Sequence, residues 1–397
     1  MPSRSAASAP RWFVATLIIA LWSMGWWLIR GRDVADLSGV VLVAAGLAAL
    51  MAAVAYPRHR FLLAIASVLL SLAALEFFAW AWEIALAPPK KQYTYSGDRT
   101  DGWLAAHALV GYSFVGPARL QASAYLGSEI IYENVLYSFD SMSRRPCRPA
   151  PDAPRHALFF GGSFTFGEGL TNQQTLACQF QTASHGEFAS FNYAMMGWGP
   201  AQTYNQLNVD ELFNDIFQRR GIAVYGLVDD HINRAIWRPE ISAVYTDYPF
   251  FRVADDGVIE GPLRAVDRPH LRLATDLYGF LDGFSPLFRV AISPSWFRIE
   301  SKQRATRLTA HALGRSRIRY RERFDGEFFV LLWPRSRLEP DLEHLLIDEL
   351  TRLGVPVIQV PPLPGDETNA TLHPLDGHPS ARETAWVAES LLRVIRE

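Results

Sequence analysis

The chain has little cysteine, no excess of either charge, no internal repeat and no low-complexity tract, and each absence narrows what it can be. Across 397 residues there are two cysteines, Cys147 and Cys178. Neither has the partners at short spacing that a zinc site needs, so no metal and no other cofactor is expected. Whether the two thiols pair or stand apart is open from spacing alone, since a disulfide needs close Cα atoms. With 38 basic and 40 acidic residues the formal net charge is −2, which leaves no global case for nucleic acid as a partner. A cleavable leader is disfavoured too. Arg4 and Arg11 make a basic start, but bulky Trp26-Trp27-Leu28-Ile29 stands where a small-residue cleavage site would be.

What the chain does have is apolar sequence at its amino end. Trp12–Ile29, Leu37–Tyr56 and Phe61–Leu86 each reach or approach the roughly 20 residues that cross a bilayer. The breaks between them are short and charged, Arg30-Gly31-Arg32-Asp33 and Pro57-Arg58-His59-Arg60. Tryptophans stand near the span ends, Trp26 and Trp27 on the first and Trp80 and Trp82 on the third, as interfacial anchors do. Residues 1–87 are therefore expected to form three transmembrane helices. An odd number of spans with the amino terminus inside puts the rest of the chain outside the cytoplasm. Basic residues barely discriminate: Arg4, Arg11, Arg58 and Arg60 on one side face Arg30, Arg32, Lys90 and Lys91 on the other. Glu76 lies within the third span, a functional candidate by position, although its closeness to Trp80 is adequately explained by an interfacial location.

Residues 88–155 read as a linker and a small β-rich accessory segment, with Glu129–Phe139 rich in β-branched and aromatic residues. From 156 onward strands and helices alternate. Strands are expected at His156–Phe160, Phe188–Tyr193, Ile222–Val228, Phe328–Trp333 and Val355–Val360. Helices are expected at Thr175–Ser184, Pro200–Arg220, Asp341–Leu353 and Ala381–Ile395. That alternation argues for an α/β domain with a doubly wound parallel sheet. An insertion at about 237–325 interrupts it, with a hairpin around Asp255-Asp256-Gly257. The insertion ends in an arginine-dense run, Arg298–Arg323. It reads as a solvated face in preference to a site for acidic glycan or lipid headgroups.

Chemistry points to two segments. Leu158-Phe159-Phe160-Gly161-Gly162-Ser163-Phe164-Thr165-Phe166-Gly167-Glu168 sends an apolar strand into two glycines and a serine, presenting a hydroxyl where open α/β sheets bind ligands. Serine alone is a weak nucleophile and needs a base. Asp376-Gly377-His378-Pro379 offers one near the far end of the chain, just before the closing helix. The plainer readings are a helix cap for Ser163 and a turn for Asp376 and His378.

Together these blocks resemble the SGNH (GDSL-like) hydrolase superfamily over about 156–397. The resemblance implies a flavodoxin-like three-layer fold, Ser163 as nucleophile, His378 as general base and Asp376 as its orienting acid. Asp376 stands two residues before His378, where many family members have three. The segment Asn192–Pro200 is similar to the second block, making Gly197, with Gly199 second, an oxyanion donor beside the Ser163 amide. In the third block Asp229 takes the place where the family carries asparagine. A carboxylate there would repel an oxyanion, so His231 or Asn233 are alternative donors. Arg234 is a candidate for holding an anionic substrate, or a surface salt bridge. The implied activity is that of a membrane-anchored serine esterase or O-acyltransferase, working on ester-linked acyl, foremost acetyl, groups of extracytoplasmic glycans. Its expected location is the inner membrane with the catalytic domain periplasmic, near envelope-polysaccharide machinery. The alternatives are a non-catalytic binding or assembly module of such a system and a membrane-surface lipid esterase.

Overall fold

The computed structural model describes residues 37–55, 61–98, 103–245, 247–254, 257–292, 294–297, 300–334, 337–365 and 369–397. The first expected span, Trp12–Ile29, lies outside them. The chain divides into two compact units. One holds the residues up to Pro88 together with Asp276–Trp296, and the other holds Pro89–Thr275 and Phe297–Glu397.

In the first unit, α1 (Leu37–Ala55) and α2 (Phe61–Ala85) pack along each other. Gly46 permits the approach, because a Cβ there would lie 2.9 Å from Leu70. Among the described residues one stretch, Leu63–Ala85, is long and apolar enough to cross a membrane, at 23 residues with mean hydropathy 2.0. Three spans were expected; among the described residues one is found.

The second unit opens with antiparallel strands. They are β1 (Lys91–Gly97), β2 (Leu104–His107), β3 (Gly111–Phe114), β4 (Ala118–Leu126) and β5 (Glu129–Phe139). β1, β4 and β5 form one sheet, and β2 pairs with β3. Next come β6 (Arg155–Gly161), α3 (Ser163–Phe166), α4 (Leu176–Ala183), β7 (Phe188–Asn192), α5 (Pro200–Leu207), β8 (Arg220–Leu227), α6 (Asp230–Arg234) and α7 (Pro239–Ser242). The inserted region contributes β9 (Pro249–Val253), β10 (Ile259–Arg264), α8 (Pro269–Phe284) and α9 (Pro286–Ala291). The chain closes with α10 (Lys302–Arg323), β11 (Asp325–Leu332), α11 (Pro340–Arg352), β12 (Val357–Gln359), β13 (Thr371–His373), β14 (Asp376–Pro379) and α12 (Ala381–Arg396).

The central sheet runs β12-β11-β8-β6-β7, and every described pair in it is parallel. Counted along the chain this is the doubly wound order 2-1-3-4-5, which reverses direction between β6 and β8. Period-two alternation sorts the strand residues to the two faces. Ala157, Phe159, Ile222, Val224 and Leu331 pack with α4 and α12, whereas Leu158, Phe160, Ala223, Tyr225 and Val330 pack with α5, α10 and α11. The expected helix over Pro200–Arg220 stops at Leu207. Asn208 caps it, and a single 3-10 turn, Asp210–Phe213, precedes β8. Asn and Asp compete for backbone groups within a helix, which explains the break. Cys147 and Cys178 form a disulfide, with Cα atoms 5.0 Å apart, which fastens the start of α4 to the bridge before β6. The arginines of α10 are spent on local partners: Arg317 on Glu327 at 2.7 Å, Arg319 on Glu322 at 2.7 Å and Arg307 on Glu349 at 3.5 Å.

Candidate active site

Ser163 follows β6 at the carboxyl edge of the sheet, beside the point where strand order reverses. Its position comes from the backbone before it. Gly161 adopts φ +137°, where an added Cβ would lie 2.6 Å from the Gly226 carbonyl of β8. Only glycine lets β6 turn this close to its neighbour. Ser163 then begins the short helix α3, and its side chain faces the β13–β14 hairpin from 215 residues away.

That hairpin carries the expected partners. His378 Nε2 lies 2.8 Å from Ser163 Oγ, and His378 Nδ1 lies 2.6 Å from Asp376 Oδ1. The two-residue spacing works because Asp376 and His378 are alternate residues of one strand, and the aspartate also accepts the His378 backbone N–H at 3.2 Å. Burial by itself pushes the Asp376 carboxyl up. The hydrogen bond and charge of His378, then those of Lys91, outweigh it and hold the group well below the usual carboxylate range. Phe164 covers one side of the imidazole, with ring centroids 5.1 Å apart.

Three further residues join this group without having been singled out from sequence. Lys91, the first residue of β1, places its ammonium 2.6 Å from Asp376 Oδ2 and 2.6 Å from Glu168 Oε1. Glu168 is buried, and its other oxygen lies 3.3 Å from His378 Nε2, the nitrogen that faces the serine. Tyr93 donates to Glu168 at 3.0 Å, and burial followed by that carboxylate pushes the phenol well above its ordinary range, so it stays a donor. Glu168, Asp376 and His378 bring three potential ligand atoms within 4.8 Å of one another. The Lys91 ammonium already bridges both carboxylates, filling with its own charge the place a cation would take. Lys91 stands in a polar linker and Glu168 five residues after Ser163. Neither spacing carried a signal.

The second block is also built from outside its own sequence. Gly197 has φ +76°. Tyr112 donates to the Met196 carbonyl at 2.7 Å and Tyr248 to the Gly197 carbonyl at 3.0 Å. A trans peptide points its C=O and N–H in opposite directions, so the Tyr112 bond turns the Gly197 N–H away from the tyrosine. Neither that N–H nor the Ser163 N–H has an acceptor among the described residues. The Gly199 N–H, by contrast, is used by Gln202 Oε1 at 3.0 Å.

Asp229 sits at the start of α6 in helical conformation, half-buried, and makes no hydrogen bond to Ser163, Gly197 or His378. Asn233 is likewise half-buried and makes no hydrogen bond to them. His231 points inward. Its Nε2 is buried without a partner and would lie 2.5 Å from a Cβ built on Gly162, the residue before Ser163. Its Nδ1 lies 2.9 Å from the hydroxyl of Tyr225, itself fully buried in β8. Burial, then Arg234, holds the imidazole neutral, against the pull of Asp230. A neutral ring has one N–H, and the Tyr225 proton needs an acceptor, so the network assigns Nδ1 as acceptor and Nε2 as donor. Arg234 is engaged by Asp230 at 2.6 Å, and its Nη1 donates to the Trp198 carbonyl at 3.0 Å, bracing the turn after Gly197.

A separate cavity, lined by Leu207, Phe213, Phe217, Arg323 and Phe324, lies at the amino ends of the strands and includes none of these groups.

No family model matches the chain, and no curated protein matches it. Among solved structures it is similar to a protein from Desulfitobacterium hafniense DCB-2 assigned to the G-D-S-L lipolytic family. The identity is 12% and the TM-score 0.28, over 60% of this chain and 98% of that one.

Proposed function

We propose that the chain is a membrane-anchored serine esterase or O-acyltransferase acting through an acyl-serine intermediate. The observation that carries the reading is the continuous hydrogen-bonded line from Ser163 Oγ through the His378 imidazole to Asp376, at 2.8 and 2.6 Å. It lies at the switch point of a doubly wound sheet, where such folds bind ligands.

In this reading Ser163 Oγ attacks the ester carbonyl while His378 Nε2 takes its proton. The imidazolium is held by Asp376 on one side and by Glu168 on the other. The negative charge on the tetrahedral oxygen falls to the Ser163 and Gly197 N–H groups and to His231 Nε2–H, which stands in as third donor for the asparagine whose place Asp229 takes. His378 returns the proton to the leaving alkoxide, and the C–O bond to it breaks. Water then resolves the acyl-serine in an esterase, or a sugar hydroxyl does in a transferase, each giving its proton to His378. The sequence resemblance favours acetyl groups on extracytoplasmic glycans as the substrate class. The disulfide supports an oxidising compartment for the catalytic unit, and Leu63–Ala85 supports a membrane anchor.

Labelling with a fluorophosphonate probe tests the reading without knowledge of the substrate. Wild-type protein should label and Ser163→Ala should not. Failure of the wild type to label would favour a non-catalytic module. Turnover of p-nitrophenyl acetate against a long-chain ester then separates small-acyl from lipid specificity. An alkaline phosphatase fusion at the carboxyl terminus should be active, and an inactive one would put the catalytic unit in the cytoplasm.

A further inference from the structure

The inserted segment Asp276–Trp296 belongs to the same compact unit as the apolar helix α2, and two carboxylates of α2 account for it. Glu76 and Glu83 are the only charged residues in α2. Seven residues apart, they lie within about 20° of one another around the helix axis, on one face. Glu76 is 6% exposed and accepts from the Ser285 hydroxyl and, at 2.9 Å, from the Leu287 N–H. Glu83 takes both Arg289 Nε and Nη2 at 2.8 Å, and Arg289 Nη1 donates to the Asp282 carbonyl at 2.7 Å.

These contacts complete the backbone accounting of the turn between α8 and α9. The Ser285 N–H goes to Leu281 and Pro286 has none. Glu76 takes the Leu287 N–H, Ser285 Oγ takes that of Phe288 at 3.0 Å, and the Ser285 carbonyl takes that of Arg289. A turn in water has no need of a carboxylate from another helix. In hydrocarbon every such group must find a partner within the protein. Glu76 lies nine residues, or about 14 Å, before the end of α2, and half the hydrocarbon core is about 15 Å thick. The interfacial location expected for Glu76 does not explain its burial or its partners. Around the turn, Leu277, Phe280, Val290 and Trp296 are 54%, 61%, 44% and 69% exposed. In exposure these four residues match the apolar residues of α2, where Val68, Leu75 and Phe78 are 58%, 50% and 68% exposed.

We propose that Asp276–Trp296 is a re-entrant helical hairpin that dips into the lipid bilayer beside α2, with Glu76 satisfying its turn and Arg289–Glu83 clamping its rising arm. The occupant of its apolar face is lipid acyl chain. This rests on the reading of α2 as a membrane span, and the test separates the two.

The full-length protein is reconstituted in phosphatidylcholine–phosphatidylglycerol vesicles and labelled with bimane at single introduced cysteines. The native pair is a disulfide and does not react. Phe280→Cys and Val290→Cys probe the hairpin, Leu72→Cys probes α2, and Phe217→Cys, 88% exposed on the catalytic unit, is the aqueous control. Lipids spin-labelled in the acyl chain should quench bimane at 280, 290 and 72 at least two-fold and leave 217 unquenched. Quenching at 72 with 280 and 290 behaving like 217 would overturn the hairpin. Absence of quenching at 72 would overturn the membrane reading and the hairpin with it. Adding Glu76→Leu to Phe280→Cys should lose at least half of the quenching at 280 while fluorophosphonate labelling of Ser163 is retained. Unchanged quenching would remove Glu76 from the proposal.

Discussion

Replacing Glu168 by glutamine takes one negative charge from the face of His378 while leaving an oxygen for Tyr93 to bond. The arithmetic of the site gives this change a sign and a size. In the transition state of the proposed reaction His378 is an imidazolium. It and Lys91 bring two positive charges, and Asp376 and Glu168 bring two negative ones, so the quartet is neutral when the reaction needs it to be. At 3.3 Å between His378 Nε2 and Glu168 Oε2, the pair attraction is about 5 kcal/mol at an effective dielectric of about 20. Lys91, 2.6 Å from the same carboxylate, cancels part of it, and solvent reaches the half-buried imidazole. A net loss of about 2 kcal/mol, or about 30-fold in kcat/KM, is the expected outcome for Glu168→Gln. Removing Lys91 as well leaves the imidazolium facing Asp376 alone, the charge balance of an ordinary Ser-His-Asp site. The double variant Lys91→Met/Glu168→Gln should therefore be more active than Glu168→Gln by itself, a non-additivity that loss of packing does not produce. The assay is hydrolysis of p-nitrophenyl acetate, with thermal melts confirming that each variant is folded. Wild-type activity in Glu168→Gln, or a double variant slower than the single one, would refute the reasoning.

His378→Ala should lose nearly all turnover and Asp376→Asn less, measured as kcat on the same ester, because the aspartate acts through the imidazole. His231→Phe should lower kcat about 100-fold with little change in KM, as expected for one oxyanion donor; an unchanged kcat would remove His231 from the hole, and Asp229→Asn should leave kcat within about three-fold, as suits a group that does not face the oxyanion. The folded-state carboxyl of Asp376 is held below its unfolded value. Its contribution to stability is present above the unfolded value of about 3.9 and is lost as pH falls through the folded one. Denaturant midpoints should fall below about pH 4, and less steeply in Asp376→Asn. Serine at both Cys147 and Cys178 should cost about 4 kcal/mol in a denaturant titration, for a closed loop spanning 31 residues.

Much of the second unit was legible in the sequence, because it is written locally. Continuous apolar runs such as Ala157–Phe160 mark strands buried on both faces, and they fall where the sheet has β6, β8 and β11. Glycines at 161 and 162 announce a sharp turn after a strand, and the Asp-x-His hairpin stands directly before a capped amphipathic helix. Helix ends were less legible, as at Leu207, where side chains that bond the backbone decide the outcome. The surroundings of the two motifs were not written locally at all. Lys91 reaches Asp376 across 285 residues, Tyr112 reaches Met196 across 84, and Glu76 reaches Ser285 across 209. A carboxylate in an apolar helix, a lysine after a proline pair and a tyrosine in a short strand look the same in sequence whether they meet solvent or one another. The sequence by itself determined the strands of the central sheet and the serine and histidine that are candidates for nucleophile and base, since those depend on periodicity and on neighbours a few residues away. Only the tertiary structure decided the charge balance around His378, the proton position on His231 and the burial of Glu76. Each is set by which side chains the fold brings into contact: Lys91 and Glu168 at His378 and Asp376, Tyr225 at His231, and Ser285 at Glu76.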